Sequence, residues 1–247
     1  MIRGLIFDLG STLIYNQHDL NWPRALDRMR GELLVHLQAA GYVIDPAPFL
    51  ALFAAKVHQY SDQRMTDWVE YTTTWILTST LEEMNLPAPP PEVARAALAA
   101  YYAYSESLWK PVPGLHETLD QLAAAGLRLG LISNAADEGN VQRLVDWADL
   151  RRYFDPIVVS AAVGLRKPNP AIFERVLRPW RLPPGEIAMV GDTLGADILG
   201  AQLSGLHSIW FTPYANHPAN SAHRGNLIPE VEPDNFSDLP GLLARWE

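Results

Sequence analysis

Two aspartates and a serine each stand directly after an apolar run. Asp8 follows Gly4-Leu5-Ile6-Phe7, Ser133 follows Leu131-Ile132, and Asp192 follows Ala188-Met189-Val190-Gly191. A run of about four to six apolar residues reads as a strand buried on both faces. In an open parallel sheet, ligands bind in the crevice beyond the carboxyl ends of the strands. Two carboxylates and a hydroxyl would therefore meet at one sheet edge, a set that suits a magnesium ion and a phosphate, and hence phosphoryl chemistry. One strand ending in Asp is ordinary, because Asp opens turns and caps helices. Three such strands, with Lys167-Pro168 between the second and third, make a pattern that chance assembles much less readily.

The composition sharpens this. The chain has 247 residues and an apolar fraction of 48%, enough for one large domain or two small ones. Its net charge of −9 argues against a nucleic-acid backbone as partner. An acidic protein that handles phosphate must concentrate positive charge locally or borrow it from a metal. Of 19 basic residues only Lys56, Lys110 and Lys167 are lysine, and Lys167 falls within Gly164-Leu165-Arg166-Lys167-Pro168, where that chemistry wants it. There is no Cys, so neither a disulfide framework nor thiolate chemistry is available. No segment reads as a bilayer span, and Met1-Ile2-Arg3 leads straight into a strand without a signal peptide, so a soluble, cytoplasmic protein is expected.

The elements that must position these residues fall into two patterns. A first strand, Ile2–Phe7, is followed by about a hundred residues with helical signals only: 23–40, 48–64, 66–84 and 91–109, with Pro at starts and Gly41 closing the first. Trp68, Trp75, Ile76 and Leu77 recur at near-helical spacing and read as packing. From Pro113 helices and strands alternate, with strands at 127–132, 156–160, 187–190 and 207–211. That alternation predicts an α/β fold with a doubly wound parallel sheet. The helical block interrupts it after one strand, which gives an α/β core of residues 1–13 plus 112–247 and an all-α cap of 14–111. Residues 212–234 read as a long loop whose His217 and His223 are solvated rather than metal-bound, and 236–246 as a closing amphipathic helix.

The order Asp8, Ser133-Asn134, Lys167-Pro168, Gly191-Asp192 and Asp197, with a helical insert after the first motif, resembles the haloacid dehalogenase superfamily of hydrolases. The likeness is densest from Phe154-Asp155 through Lys167-Pro168-Asn169-Pro170-Ala171-Ile172-Phe173 to Gly191-Asp192-Thr193, and there it is to the family's phosphatase-like members. It implies Asp8 as a nucleophile that forms an aspartyl phosphate, splitting one difficult hydrolysis into two steps. It implies Mg²⁺ held by Asp8, Asp192 and the carbonyl of Gly10, with Asp197 and Thr12 in support. Ser133, Asn134 and Lys167 would hold the phosphate of a small phosphorylated substrate. Ser133-Asn134 also suits a helix N-cap and Asp197 a first-turn carboxylate, roles that coexist with these.

One position departs from the pattern. The family's phosphatases usually carry a second Asp two residues after the nucleophile as general acid and base, and here Gly10 stands in that place. Positioned proton transfer is worth about 10²–10⁴ in rate. Two alternatives follow: a 2-haloacid dehalogenase-like enzyme that attacks carbon without a metal, or a phosphate-binding homologue with weak turnover. Phosphonate cleavage would need a cap lysine, and Lys56 and Lys110 lack a recognisable context. Specificity is expected from cap residues facing Asp8, with Tyr15, His18, Trp22, Tyr71, Trp75 and Trp109 as candidates.

Overall fold

The computed structural model describes residues 1–16, 22–215 and 218–246; His18, His217 and the side chain of Trp22 lie outside the described residues. Strand β1 (Gly4–Phe7) and the short β2 (Ile14–Asn16) precede four helices: α1 (Trp22–Ala39), α2 (Pro46–Asp67), α3 (Thr73–Glu83) and α4 (Pro91–Glu106). Strand β3 (Trp109–Pro111) leads back, and alternation begins: α5 (Leu115–Ala124), β4 (Arg128–Ser133), α6 (Glu138–Trp147), β5 (Ile157–Val159), α7 (Ser160–Val163), α8 (Pro170–Trp180) and β6 (Ile187–Gly191). A π-helical turn (Leu194–Ile198) runs into α9 (Leu199–Leu203), followed by β7 (His207–Trp210), α10 (Asn220–His223) and α11 (Leu239–Leu243). No helix among the described residues is long and apolar enough to cross a membrane.

The five-stranded sheet has the order β5-β4-β1-β6-β7, parallel throughout. Alternate residues of each strand serve opposite faces. Leu5, Phe7, Leu131 and Val190 pack with Leu119 and Leu122 of α5 and Val141 and Val145 of α6. Ile6, Ile132 and Met189 pack on the other face with Ile172, Phe173, Val176 and Trp180 of α8. Helices on both faces explain why the strands are apolar runs rather than alternating ones.

The inserted helices build their own core, in which Leu33, Leu37, Phe49, Phe53, Leu77, Leu81 and Leu98 are all buried. At the root of the insert β2 and β3 pair antiparallel, a ribbon too short to show in a hydrophobic pattern. The expected helix from Thr66 is interrupted. Trp68 takes φ 56° and ends α2, and α3 starts only at Thr73, capped by the Thr72 hydroxyl on the Trp75 N–H. The five residues between are held by the core. Val69 bridges Leu165, the Glu70 N–H donates to the Gly164 carbonyl, and the Arg166 N–H donates to the Trp68 carbonyl. Tertiary backbone pairing overrides helix propensity in this strap.

Candidate active site

Phe7 pairs with Leu131 on one side and Val190 on the other, so the residues that follow the three strands emerge together. Asp8, Ser133 and Asp192 line one cavity of about 550 Å³ with Gly10, Asn134, Lys167 and Asp197. That volume is ordinary for a small-molecule site.

Lys167 is the hub. Its buried Nζ donates to Asp8 Oδ1 at 2.6 Å and to the Ile132 carbonyl at 2.8 Å. It also lies 2.7 Å from Asp197 Oδ1, an electrostatic contact. Asn134 fixes the lysine from both sides: its Oδ1 accepts from the Lys167 N–H at 2.8 Å and its Nδ2 donates to the Lys167 carbonyl at 2.9 Å. The Asn134 side chain is thus occupied in placing Lys167. The Ser133 hydroxyl, on a buried residue, lines the cavity.

On the opposite side of Asp8, Asp192 sits at the end of β6 with its carbonyl accepting from Trp210 Nε1 at 2.7 Å and Asn220 Nδ2 at 2.9 Å. Asn220 Oδ1 in turn accepts from the Leu194 N–H at 2.8 Å. Asp197 turns back through the π-helical turn, where its Oδ2 accepts from the Thr193 N–H at 2.9 Å. Its side chain fills the space a Cβ on Gly191 would need, which explains a glycine before Asp192. Neither Trp210 nor Asn220 stood out in the sequence, because bonds to a backbone carbonyl leave no motif.

Carboxylate oxygens of Asp8, Asp192 and Asp197 lie within 4.8 Å of one another, and all three residues are buried. Burial pushes the Asp8 carboxyl up to about 6; Lys167 opposes this and Asp197 adds to it. Burial likewise holds Asp192 well above the usual carboxylate range, reinforced by Asp8 and Asp197. Burial alone would lower the Lys167 ammonium, but Asp197 and Asp8 outweigh it and hold it above its ordinary value. Three acids against one lysine leave an excess of two negative charges, and an all-oxygen donor set of this kind fits a hard divalent cation.

Gly10 lines the cavity beneath Trp109 of β3; a Cβ there would stand 3.3 Å from the indole Cη2. A side chain at this position would therefore have to displace the indole by a few tenths of an ångström. Of the other cap candidates, Tyr15 stacks on Tyr214, and Tyr71 and Trp75 pack with Tyr60; none of the three lines the cavity. Arg64, Met65 and Trp68 from the end of α2 line it instead, together with Arg166. His223, expected as a solvated loop residue, is half-buried against Gly195 and lines the cavity too. Thr12 is buried but its hydroxyl has no partner, so among the described residues it bonds to neither aspartate.

The family model of the haloacid dehalogenase-like hydrolases matches residues 2–205. The chain belongs to this family. Among its relatives, a haloacid dehalogenase-like hydrolase domain-containing protein 3 of Homo sapiens is 27% identical over 93% of this chain and 91% of that protein. A glyceraldehyde 3-phosphate phosphatase of Methanopyrus kandleri is 30% identical over 62% of this chain, and the match spans 60% of that enzyme's length. The corresponding enzyme of Pyrococcus abyssi is also 30% identical, over 53% of this chain and 54% of its own length. Among solved structures, a 2-haloacid dehalogenase of Pseudomonas syringae covers the whole of both chains with a TM-score of 0.71 at 24% identity, a likeness of fold. The chain is thus a haloacid dehalogenase-like hydrolase with a helical cap inserted in its α/β sheet.

Proposed function

We propose that this haloacid dehalogenase-like hydrolase is a magnesium-dependent phosphatase of a small phosphorylated metabolite, with residues 1–13 and 112–247 as catalytic core and 14–111 as lid. The observation that carries the reading is Lys167 Nζ seated between Asp8 and Asp197, with Asp192 in ligating reach of both acids. Relatives named as phosphatases at about 30% identity support the same chemistry.

In this reading an Asp8 oxygen attacks phosphorus, the ester oxygen leaves, and water then cleaves the aspartyl phosphate to restore Asp8 and release inorganic phosphate. Lys167 keeps Asp8 ionised and takes a share of the phosphate charge, and the Ser133 hydroxyl donates to a phosphate oxygen. Asp8, Asp192 and the Gly10 carbonyl would hold Mg²⁺, and Asp197 supports Lys167 and the Asp192 loop. The ion supplies charge neutralisation that lets an anionic nucleophile approach an anionic ester. With Gly10 in the general-acid place, the leaving group draws its proton from water or another residue lining the cavity, so esters of acidic alcohols should react fastest.

The test is release of inorganic phosphate from p-nitrophenyl phosphate with Mg²⁺, expected to fall at least about 10²-fold in EDTA. Full activity in EDTA, or chloride release from a 2-haloacid in place of phosphate release, would overturn the reading.

A linked result concerns pH. The folded Asp8 carboxyl titrates at about 6 against 3.8 when unfolded, so between those values the folded protein holds the extra proton. Stability contributed by that protonated form is complete at low pH and is lost as pH rises through the window. About two units at roughly 1.4 kcal/mol each make this on the order of 3 kcal/mol. Metal-stripped protein should therefore lose melting temperature between about pH 4 and 6 relative to an Asp8→Asn variant, and Mg²⁺ at pH 7 should restore it. A flat difference between the two proteins would contradict the burial-raised Asp8 carboxyl.

A further inference from the structure

The cavity lining carries two sets of charged side chains. Asp8, Asp192, Asp197 and Lys167 make one set. Arg64 and Arg166 line the same cavity, but their charged partner is Glu70 of the strap. Glu70 is fully buried and its carboxylate is already occupied: Oε2 accepts from Ser160 Oγ at 2.6 Å, and Arg166 Nη1 lies 3.3 Å from it. Arg64 reaches Glu70 Oε1 only at 3.6 Å through Nη1, and its buried Nε has no hydrogen-bond partner among the described residues. Asp67, the other acid nearby, is absent from the cavity lining and accepts from the Val69 N–H, Tyr71 and Gln63. Asp67 balances the second guanidinium in formal charge, but it is solvent-exposed and neither acid lines the cavity, whereas both guanidinium groups do and Arg64 holds an unspent Nε donor. Burial lowers Arg166 to about 10 despite Glu70, and an added anion would relieve that strain on its charge.

We propose that Arg64 and Arg166 form a second anion subsite, which selects phosphate esters that also carry a carboxylate. This rests on the phosphatase reading and deepens it. The phosphate binds at the Asp8–Lys167 end, and the carboxylate is received by the Arg64 fork, with Arg166 held behind it by Glu70. A planar guanidinium suits a carboxylate because two parallel N–H groups match its two oxygens. Arg64 stands in the last turn of α2, next to Met65 and Trp68, whose side chains give the carbon skeleton between the two anions an apolar wall. The carboxylate thereby fixes which ester oxygen faces Asp8, which is how remote binding energy orients a reacting centre.

The experiment compares 3-phosphoglycerate with glycerol 3-phosphate, which differ by a carboxylate in place of a hydroxymethyl group, with p-nitrophenyl phosphate as the reporter of phosphatase chemistry itself. The wild-type enzyme should favour 3-phosphoglycerate at least about tenfold in kcat/KM. Arg64→Gln should lower that ratio about tenfold or more, to near one, mainly through KM, as expected for the loss of a hydrogen bond to a charged group. Arg64→Lys, which keeps the charge but loses the fork, should fall between and guards against a folding defect. A ratio near one in the wild type, or a ratio unmoved by both variants while p-nitrophenyl phosphate is still cleaved, would overturn the subsite and leave the phosphatase reading standing. No phosphate release from any of the three esters would overturn both.

Discussion

Asp8→Asn should abolish phosphate release, by at least about 10⁴-fold, while leaving the protein folded and, without metal, more stable than the wild type. The two halves of this expectation have one origin. Asn keeps the shape of Asp8 and can still accept from Lys167, but an amide oxygen is too weak a nucleophile to form the acyl phosphate. Asp8 is also one of three buried acids whose oxygens lie within 4.8 Å of one another, and burial has already pushed its carboxyl up to about 6. Neutralising it removes a buried charge and its repulsion with Asp197, at the loss of part of its attraction to Lys167. Steady-state assay and thermal melting of the same preparation check both. Loss of activity with loss of stability would place Asp8 among the structural residues, and retained activity would exclude it as nucleophile.

Lys167→Met should act in the opposite sense on stability. The ammonium is buried and contacts Asp8 at 2.6 Å and Asp197 at 2.7 Å. Methionine fills a similar volume and leaves three acids without a cation among them. Breaking a buried pair by deleting one partner typically costs about 3–5 kcal/mol, because the remaining charge stays uncompensated. Lys167→Met should unfold at a correspondingly lower urea concentration, and its phosphate release should be lost. Asp197→Asn in the same chain should recover part of the stability and none of the activity. A double-mutant cycle measures the coupling directly. Additive effects would mean that Lys167 and Asp197 are not energetically paired, against the observed contact.

How much of this was legible in the sequence depends on what carried each feature. The strands ending at Phe7, Ser133 and Gly191 could be read because burial on both faces writes an unbroken apolar run. The residues beyond them could be read because the sheet delivers them to one edge. Arg64 could not, since a basic residue near the end of an amphipathic helix has the pattern of a solvated face. Only its proximity to a fully buried Glu70 distinguishes it. Arg166 carried a faint signal in standing beside Lys167. The strap at 68–72 looked helical because its apolar spacing is helical, and the pairing that straightens it lies about a hundred residues away in Leu165. Asp197 could be placed near Asp192 by spacing alone, but not its turn back beneath Gly191, which depends on a local π-helical winding.

The strap has a mechanical consequence. An insert joined to its host only through β2 and β3 is a door on one hinge, free to swing about that ribbon. Here the middle of the insert is fastened as well, by the backbone pairing of Trp68 and Glu70 with 164–166, by the Thr73 N–H on the Ala136 carbonyl, and by Glu106 gripping Arg143 from α4. A body held at two separated places does not swing; it must first unfasten one of them. Swinging of the insert then requires peeling of a few backbone pairs, a local opening with its own free energy. The amides of Glu70 and Arg166 become the natural gauges of how often the insert unfastens.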